Sequence, residues 1–136
     1  MSLYVLDTDI LSLYQSSDST VASRIFQHSE EDLAVTIISV EEQLRAWFTL
    51  RRRAKNQEEI AYAYDRFARS VSSLSTMSIL EPAIARFEHL RRLKLGVKAD
   101  DLRIAAIALE NSAIVVTRNL RDFGRVPDLQ SENWSE

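Results

Sequence analysis

The stretch "YVLDTDILSLY", residues 4–14, decides how the chain must be read. Tyr4, Val5 and Leu6, with Leu3 before them, form a short apolar run of the kind that builds a buried strand. After Asp7, Thr8 and Asp9 the apolar period changes, and Ile10, Leu11, Leu13 and Tyr14 recur at helical spacing. A carboxylate therefore stands where a buried strand ends and a helix begins. A charge in that position costs free energy unless something matches it.

The same alternation continues along the chain. The first helix runs through Gln15, and "SSDST" (16–20) breaks it, with Asp18 or Ser19 placed to cap "VASRIFQH" (21–28). "DLAVTII" (32–38) is a second β-branched run. "SVEEQLRAWFTLRRRAK" (39–55) follows as a helix with Val40, Leu44, Trp47 and Phe48 on one side. Asn56 can cap the helix "QEEIAYAYDRFARSVSSL" (57–74). "MSIL" (77–80) is a third short strand, and Pro82 sits near the first turn of "EPAIARFEHLRRLKL" (81–95). "DDLRIAAIALENS" (100–112) reads as a helix, "AIVVT" (113–117) as a strand, "NLRDF" (119–123) as a helical turn and "DLQSEN" (128–133) as an edge strand. Strands alternating with helices imply parallel β-α-β units with helices on both sheet faces, an α/β class. Ligands in such sheets gather beyond the carboxyl ends of the strands, near a topological switch point. Asp7 lies at such an end.

Composition narrows the class further. The 136 residues suit one domain, 1–136, with 46% hydrophobic and 27% charged residues, an ordinary globular balance. Two glycines and two prolines leave few tight turns for an all-β protein. The absence of cysteine excludes disulfides and thiolate metal sites and suits a reducing cytoplasm. The net charge of −3 is not that of a basic nucleic-acid coat. Two basic blocks, Arg51, Arg52, Arg53 and Lys55, and Arg91, Arg92, Lys94 and Lys98, read as solvated helix faces or as phosphate contacts. No apolar run approaches membrane-spanning length, and no secretory leader pattern opens the sequence, so a soluble, cytoplasmic protein without membrane contact is expected.

Asp7 has acidic company. Glu41 and Glu42 follow the second strand, Asp100 and Asp101 open a helix, and Asn119 and Asp122 follow "AIVVT". If these ends share one sheet edge, their carboxylates repel one another unless protonated or neutralised by a cation. Oxygen-only donors suit Mg²⁺ or Mn²⁺, which organise phosphodiester hydrolysis. Neither His28 nor His89 has a partner at zinc spacing. Each residue also has a structural reading: Ser39-Val-Glu-Glu42 fits a capping box, Asp100 and Asp101 favour a helix N-terminus, and Asp122 suits a turn. Glu41, Asp100 and Asp9 are assigned to structure, Asp9 as a cap, a support for the first helix or a holder of water.

"YVLDTDILSLY", "AVTIISVEEQLRAW" and "DDLRIAAIALENSAIVVTRNLRDFGRVPDLQSENW" together resemble the PIN-domain ribonucleases, especially VapC-like toxins. The specific part is D-L-x-I-A-A followed by V-T-x-N-x-x-D-F, V-P-x-L and Trp134. The resemblance puts the family's first acid on Asp7 and its second, three residues after a Ser or Thr, on Glu42, counted from Ser39. The third, immediately before L-x-I-A-A, falls on Asp101. The fourth position, two residues beyond Thr117, is Asn119, and the acid of the following D-F pair is Asp122. Two departures stand out. Asn119 offers a neutral oxygen where Asp is common, which weakens a second metal position, and Lys98 and Ala99 occupy a loop that contains glycine in many relatives.

The resemblance implies a three-layer α/β/α fold with a mainly parallel sheet, and metal-dependent endoribonuclease activity on single-stranded RNA. It also implies a homodimer and inhibition by a small cognate antitoxin. Asp7 and Asp101 would then hold Mg²⁺ or Mn²⁺, with Asn119 and Asp122 completing the set as ligands or their supports. Glu42 would orient or deprotonate a water, or bind a second ion. Thr8 and Thr117 could donate to the carboxylates or substrate, or serve the core and caps. Trp47, Phe48, Tyr62 and Tyr64 offer a dimer or antitoxin surface, although Trp47 reads better as core. Two alternatives remain on sequence grounds. One is a haloacid-dehalogenase-type phosphatase with Asp7 as nucleophile and Asp9 as general acid; the other is a catalytically inactive PIN-like binding module.

Overall fold

A computed structural model describes residues 2–136; Met1, the first residue of the expected domain, lies outside them. Among the described residues five strands form one sheet: β1 Tyr4–Leu6, β2 Leu33–Thr36, β3 Ser78–Leu80, β4 Ile114–Val116 and β5 Gln130–Glu132. Their order is β3-β2-β1-β4-β5, and every neighbouring pair is parallel. From β1 the chain lays β2 and β3 outward on one side, then returns to lay β4 and β5 on the other. The switch point expected near Asp7 therefore lies between the carboxyl ends of β1 and β4.

The connections are α1 Thr8–Gln15, α2 Ser19–Phe26, α3 Ile37–Arg53, α4 Gln57–Leu74, α5 Ile84–Arg92, α6 Ala99–Glu110 and α7 Leu120–Phe123. Successive strand residues face opposite ways, and the packing follows that period. Val5 and Val115 pack with Leu90, Leu102, Ile104 and Phe123 of α5, α6 and α7. Leu6, Val35 and Val116 pack with Ile10, Leu11, Val21 and Ile25 of α1 and α2, and with Trp134. Helices on both faces make the expected three layers. Trp134 closes the second core: it is fully buried, its indole N–H donates to Glu132 Oε1 at 3.0 Å, and the His28 ring stacks on it at 4.6 Å.

Most element boundaries shift by one to three residues from the sequence reading; the helix expected over 81–95, for example, runs only Ile84–Arg92 and leaves Pro82 ahead of its first turn. The second strand stops at Thr36, and Ile37 and Ile38, expected to extend it, form the first turn of α3. Thr36 is the cap, with its hydroxyl accepting from the Ser39 amide at 3.2 Å. An apolar run alone does not reveal where a strand turns into a buried helix; the capping side chain decides it. Of the two caps offered for α2, Asp18 is the one used, accepting from the Val21 amide at 3.0 Å. The proposed cap of Asn56 on α4 is present, at 2.8 Å from the Glu59 amide.

Candidate active site at the switch point

Asp7 caps α1 directly after β1. Its Oδ1 accepts from the Ile10 amide at 2.9 Å, and its own amide donates to the Val116 carbonyl at 3.0 Å. It is 5% exposed. Burial raises its carboxyl from 3.8 to about 6, a shift that the Thr117 hydroxyl and the Ile10 amide oppose by hydrogen bonding and that the charges of Asp9 and Asp101 reinforce. Thr117, fully buried at the end of β4, thus supports Asp7, and its Oγ1 accepts in turn from the Asn119 amide at 2.9 Å.

Asp101 enters from the first turn of α6. Its carboxyl is also raised, first by burial and then by the charges of Glu42, Asp122 and Asp100, with Lys98 opposing. Two carboxylates from different elements are therefore held away from their ordinary range by lost solvent and by neighbouring negative charge. That is the electrostatic mark of a site suited to a cation.

Glu42 does not close a capping box. With Thr36 as cap, Ser39 lies inside the helix and Glu42 has turned toward α1, where Thr8 Oγ1 donates to its Oε1 at 2.6 Å. Thr8 Oγ1 also lies 2.8 Å from Ser39 Oγ. Because Thr8 has one hydroxyl hydrogen and gives it to a carboxylate that only accepts when ionised, Ser39 must be the donor to Thr8. Ser39, fully buried, steers Thr8, and Thr8 steers Glu42.

Asp7, Thr8, Asp9, Ser12, Glu42, Asp101, Arg118 and Asn119 line one cleft of about 570 Å³. Asp122 stands behind Asn119, whose Nδ2 donates to its Oδ2 at 2.9 Å, and Arg125 approaches it at 3.7 Å. Asn119 caps α7, and its Oδ1 accepts from the Asp122 amide at 3.3 Å. The neutral oxygen at this position is thus already engaged in holding a turn. Glu41 and Asp100 are structural, as expected: both pair with Arg45, at 3.4 and 3.0 Å, and Asp100 also pairs with Arg103 at 2.9 Å. Asp9 is held by Arg118, a residue that sequence reasoning passed over although it stands inside the "VTRN" motif. Its signal, a lone basic residue beside an acidic constellation, emerges only once the two loops are adjacent.

The donor set is made of carboxylate, hydroxyl and amide oxygens, with no sulfur or imidazole, which fits a hard divalent ion. Among the described residues no three acidic or histidine side chains stand close enough to hold an ion as they are, so the acids line an open cleft rather than a closed cage. Mg²⁺ commonly keeps several waters and takes only one or two carboxylates, which such an arrangement can supply.

Residues 4–129 match the family model described as PIN domain. The chain belongs to the PIN-domain family. Ribonuclease VapC1 of Haemophilus influenzae (strain R2866) is 26% identical to this PIN domain over 137 residues, spanning 98% of the chain and 99% of that protein. Among solved structures, DNA-bound VapBC from Salmonella typhimurium has a TM-score of 0.78 at 22% identity, covering 98% of this chain and 99% of that one. VapBC-1 from nontypeable Haemophilus influenzae has a TM-score of 0.75 at 24% identity, with the same coverages. These structures establish the fold. Membership of the family also removes the phosphatase alternative, whose general acid, Asp9, here has both oxygens in bonds to Arg118. No helix among the described residues is long and apolar enough to cross a membrane.

Proposed function

We propose that this PIN domain is a divalent-metal-dependent endoribonuclease that hydrolyses phosphodiester bonds in single-stranded RNA, and that it is the toxin of a toxin–antitoxin pair. The observation that carries the reading is that Asp7, directly after β1, and Asp101 of α6 line one cleft at the switch point, each with a carboxyl raised first by burial and then by neighbouring acids. The relatives support it by name: one curated relative is a ribonuclease VapC, and the solved structures are VapBC complexes.

Asp7 and Asp101 would hold Mg²⁺ or Mn²⁺, with Asp122 and Asn119 supporting from the α7 turn. The bound ion would offset phosphate charge and make water more acidic. Glu42, aimed by Ser39 and Thr8, is the candidate to orient a water or accept its proton. Thr117 holds Asp7 in place. The partners of this reading are an RNA substrate, a small cognate antitoxin and a second copy of the chain, in the cytoplasm.

The test is incubation of the purified protein with mixed RNAs in Mg²⁺, Mn²⁺ or EDTA. Cleavage that needs the metal is the expected result. Intact RNA, together with no metal-induced rise in melting temperature, would favour the inactive binding module instead.

A further inference from the structure

Resting on the nuclease reading above, we propose that Arg118 is a phosphate-binding residue for the substrate backbone, positioned for that task by Asp9. Four carboxylates line the cleft, those of Asp7, Asp9, Glu42 and Asp101. Among the described residues that line it, Arg118 is the only cation. A nucleic-acid strand is a polyanion, and a cleft walled by acids opposes its entry unless positive charge stands at the approach.

The geometry of the pair suits that role. Arg118 Nε donates to Asp9 Oδ2 at 2.6 Å and Nη2 donates to Asp9 Oδ1 at 2.9 Å. This side-on fork uses two of the five guanidinium hydrogens and leaves both on Nη1 and the second on Nη2 for another acceptor. The Arg118 side chain is 52% exposed, so it is open to an incoming phosphate.

The base of the side chain is equally well placed. Arg118 sits between Thr117, which supports Asp7, and Asn119, which caps α7, and the Asn119 amide to Thr117 Oγ1 bond closes the turn around it. Asp9 lies in the first turn of α1, two residues beyond Asp7. The guanidinium is therefore anchored from both sides of the switch point, within the same two turns that hold Asp7. A bidentate hold of this kind fixes the plane of an otherwise flexible side chain before substrate arrives, which reduces the ordering cost of binding. A salt bridge that merely tied α1 to the β4 loop would need no place in the cleft wall.

Binding of a fluorescent single-stranded oligoribonucleotide, measured with Ca²⁺ at several salt concentrations, tests the proposal without depending on turnover. Arg118→Gln should weaken binding about tenfold and flatten the salt slope by about one. Arg118→Lys, which keeps the charge and the fold but loses the fork, should keep the slope and lose part of the affinity. Asp9→Asn retains one acceptor and should weaken binding less than Arg118→Gln; tighter binding by Asp9→Asn would overturn its positioning role. Wild-type affinity and slope in Arg118→Gln would overturn the proposal even if the wild-type protein cuts RNA, as would absence of binding by the wild type. Should Arg118→Gln fail to fold, a reduced slope in Arg118→Lys would overturn it instead. A protein that binds RNA through Arg118 but never cleaves it would uphold the proposal and sink only the nuclease reading.

Discussion

The two ends of α3 lie on one helix in opposite surroundings. At its start Ser39 is fully buried and hydrogen-bonded to Thr8, and three residues later Glu42 is held in the acidic cleft by the same threonine. At its far end, packed against α4, Phe48 is 59% exposed and Tyr64 of α4 52%. There Trp47 gathers Phe67, Phe48 and Tyr64 at 4.4, 5.1 and 5.8 Å, while its indole N–H donates to the Ala63 carbonyl at 2.8 Å. Polar side chains are buried where the helix meets the sheet, and aromatic ones are exposed where it leaves. Burial of polar groups is tolerable at the cleft because each is bonded, and among the described residues no buried side-chain polar atom lacks a partner. The lesson is that side-chain chemistry does not report burial on this helix; distance from the sheet does.

If the cleft is the reactive end, the largest effects belong there. Asp7→Asn and Asp101→Asn should each lower RNA cleavage about a hundredfold or more while circular dichroism stays native. Wild-type rates in either would erase the contrast between the two ends of the helix. Asparagine keeps the acceptor that caps α1, so loss of the cap is not the reason for loss of activity.

The next largest effect is thermodynamic. Asp7 holds its proton up to about 6 in the folded chain against 3.8 when free, so the native state binds more protons than the unfolded one between those values. Metal-free stability should therefore be fully present below pH 3.8, fall through about 6 and level off above it, by about 3 kcal/mol for this group. Asp101, raised in the same direction, adds to the fall. Mn²⁺ at a hundredfold excess over its dissociation constant should restore about 2.7 kcal/mol at pH 8 and almost nothing at pH 4. Thermal melts across pH, with and without Mn²⁺, measure both, and an unmoved melt at pH 8 in millimolar Mn²⁺ would remove the metal from the site.

A smaller effect should follow from loosening Glu42. Thr8→Val removes the hydroxyl that holds it and should slow cleavage about tenfold, with a modest drop in melting temperature. Single-turnover rates separate this from weaker RNA binding. The smallest effect is expected at the hairpin formed by α3 and α4, where Phe48→Ala should leave cleavage unchanged and shift stability by no more than about 0.5 kcal/mol. A strong loss of activity there would place the aromatic end in the reaction after all.

Much of this was legible in the chain. The change of period at Asp7, the alternation of strand and helix, and the acids at element ends specified a parallel three-layer sheet and most of the cleft, because those features are local and periodic. Asp7, prominent by its place after a strand, and Glu42, Asp101 and Asn119, assigned by the family resemblance, do line one cleft, while Asp122 stands one layer behind. The capping-box reading of Glu42 failed for a reason of register: a cap three residues earlier, at Thr36, left Glu42 beyond reach of the helix start and turned toward Thr8. Trp47 read as core by spacing, yet the α3–α4 hairpin carries it beyond the sheet and leaves it half-buried, with Phe48 beside it exposed.

By itself the sequence determined the order of elements, the parallel class and the acidic character of the strand ends, since period and capping are encoded within a few residues. Tertiary structure alone decided which of those ends met. Thr8 reaches Ser39 across 31 residues and Arg118 reaches Asp9 across 109, because strand order put β1 between β2 and β4. It also decided the raised carboxyls of Asp7 and Asp101, because a pKa depends on the solvent a fold removes and the charges it brings near, and neither exists along an extended chain.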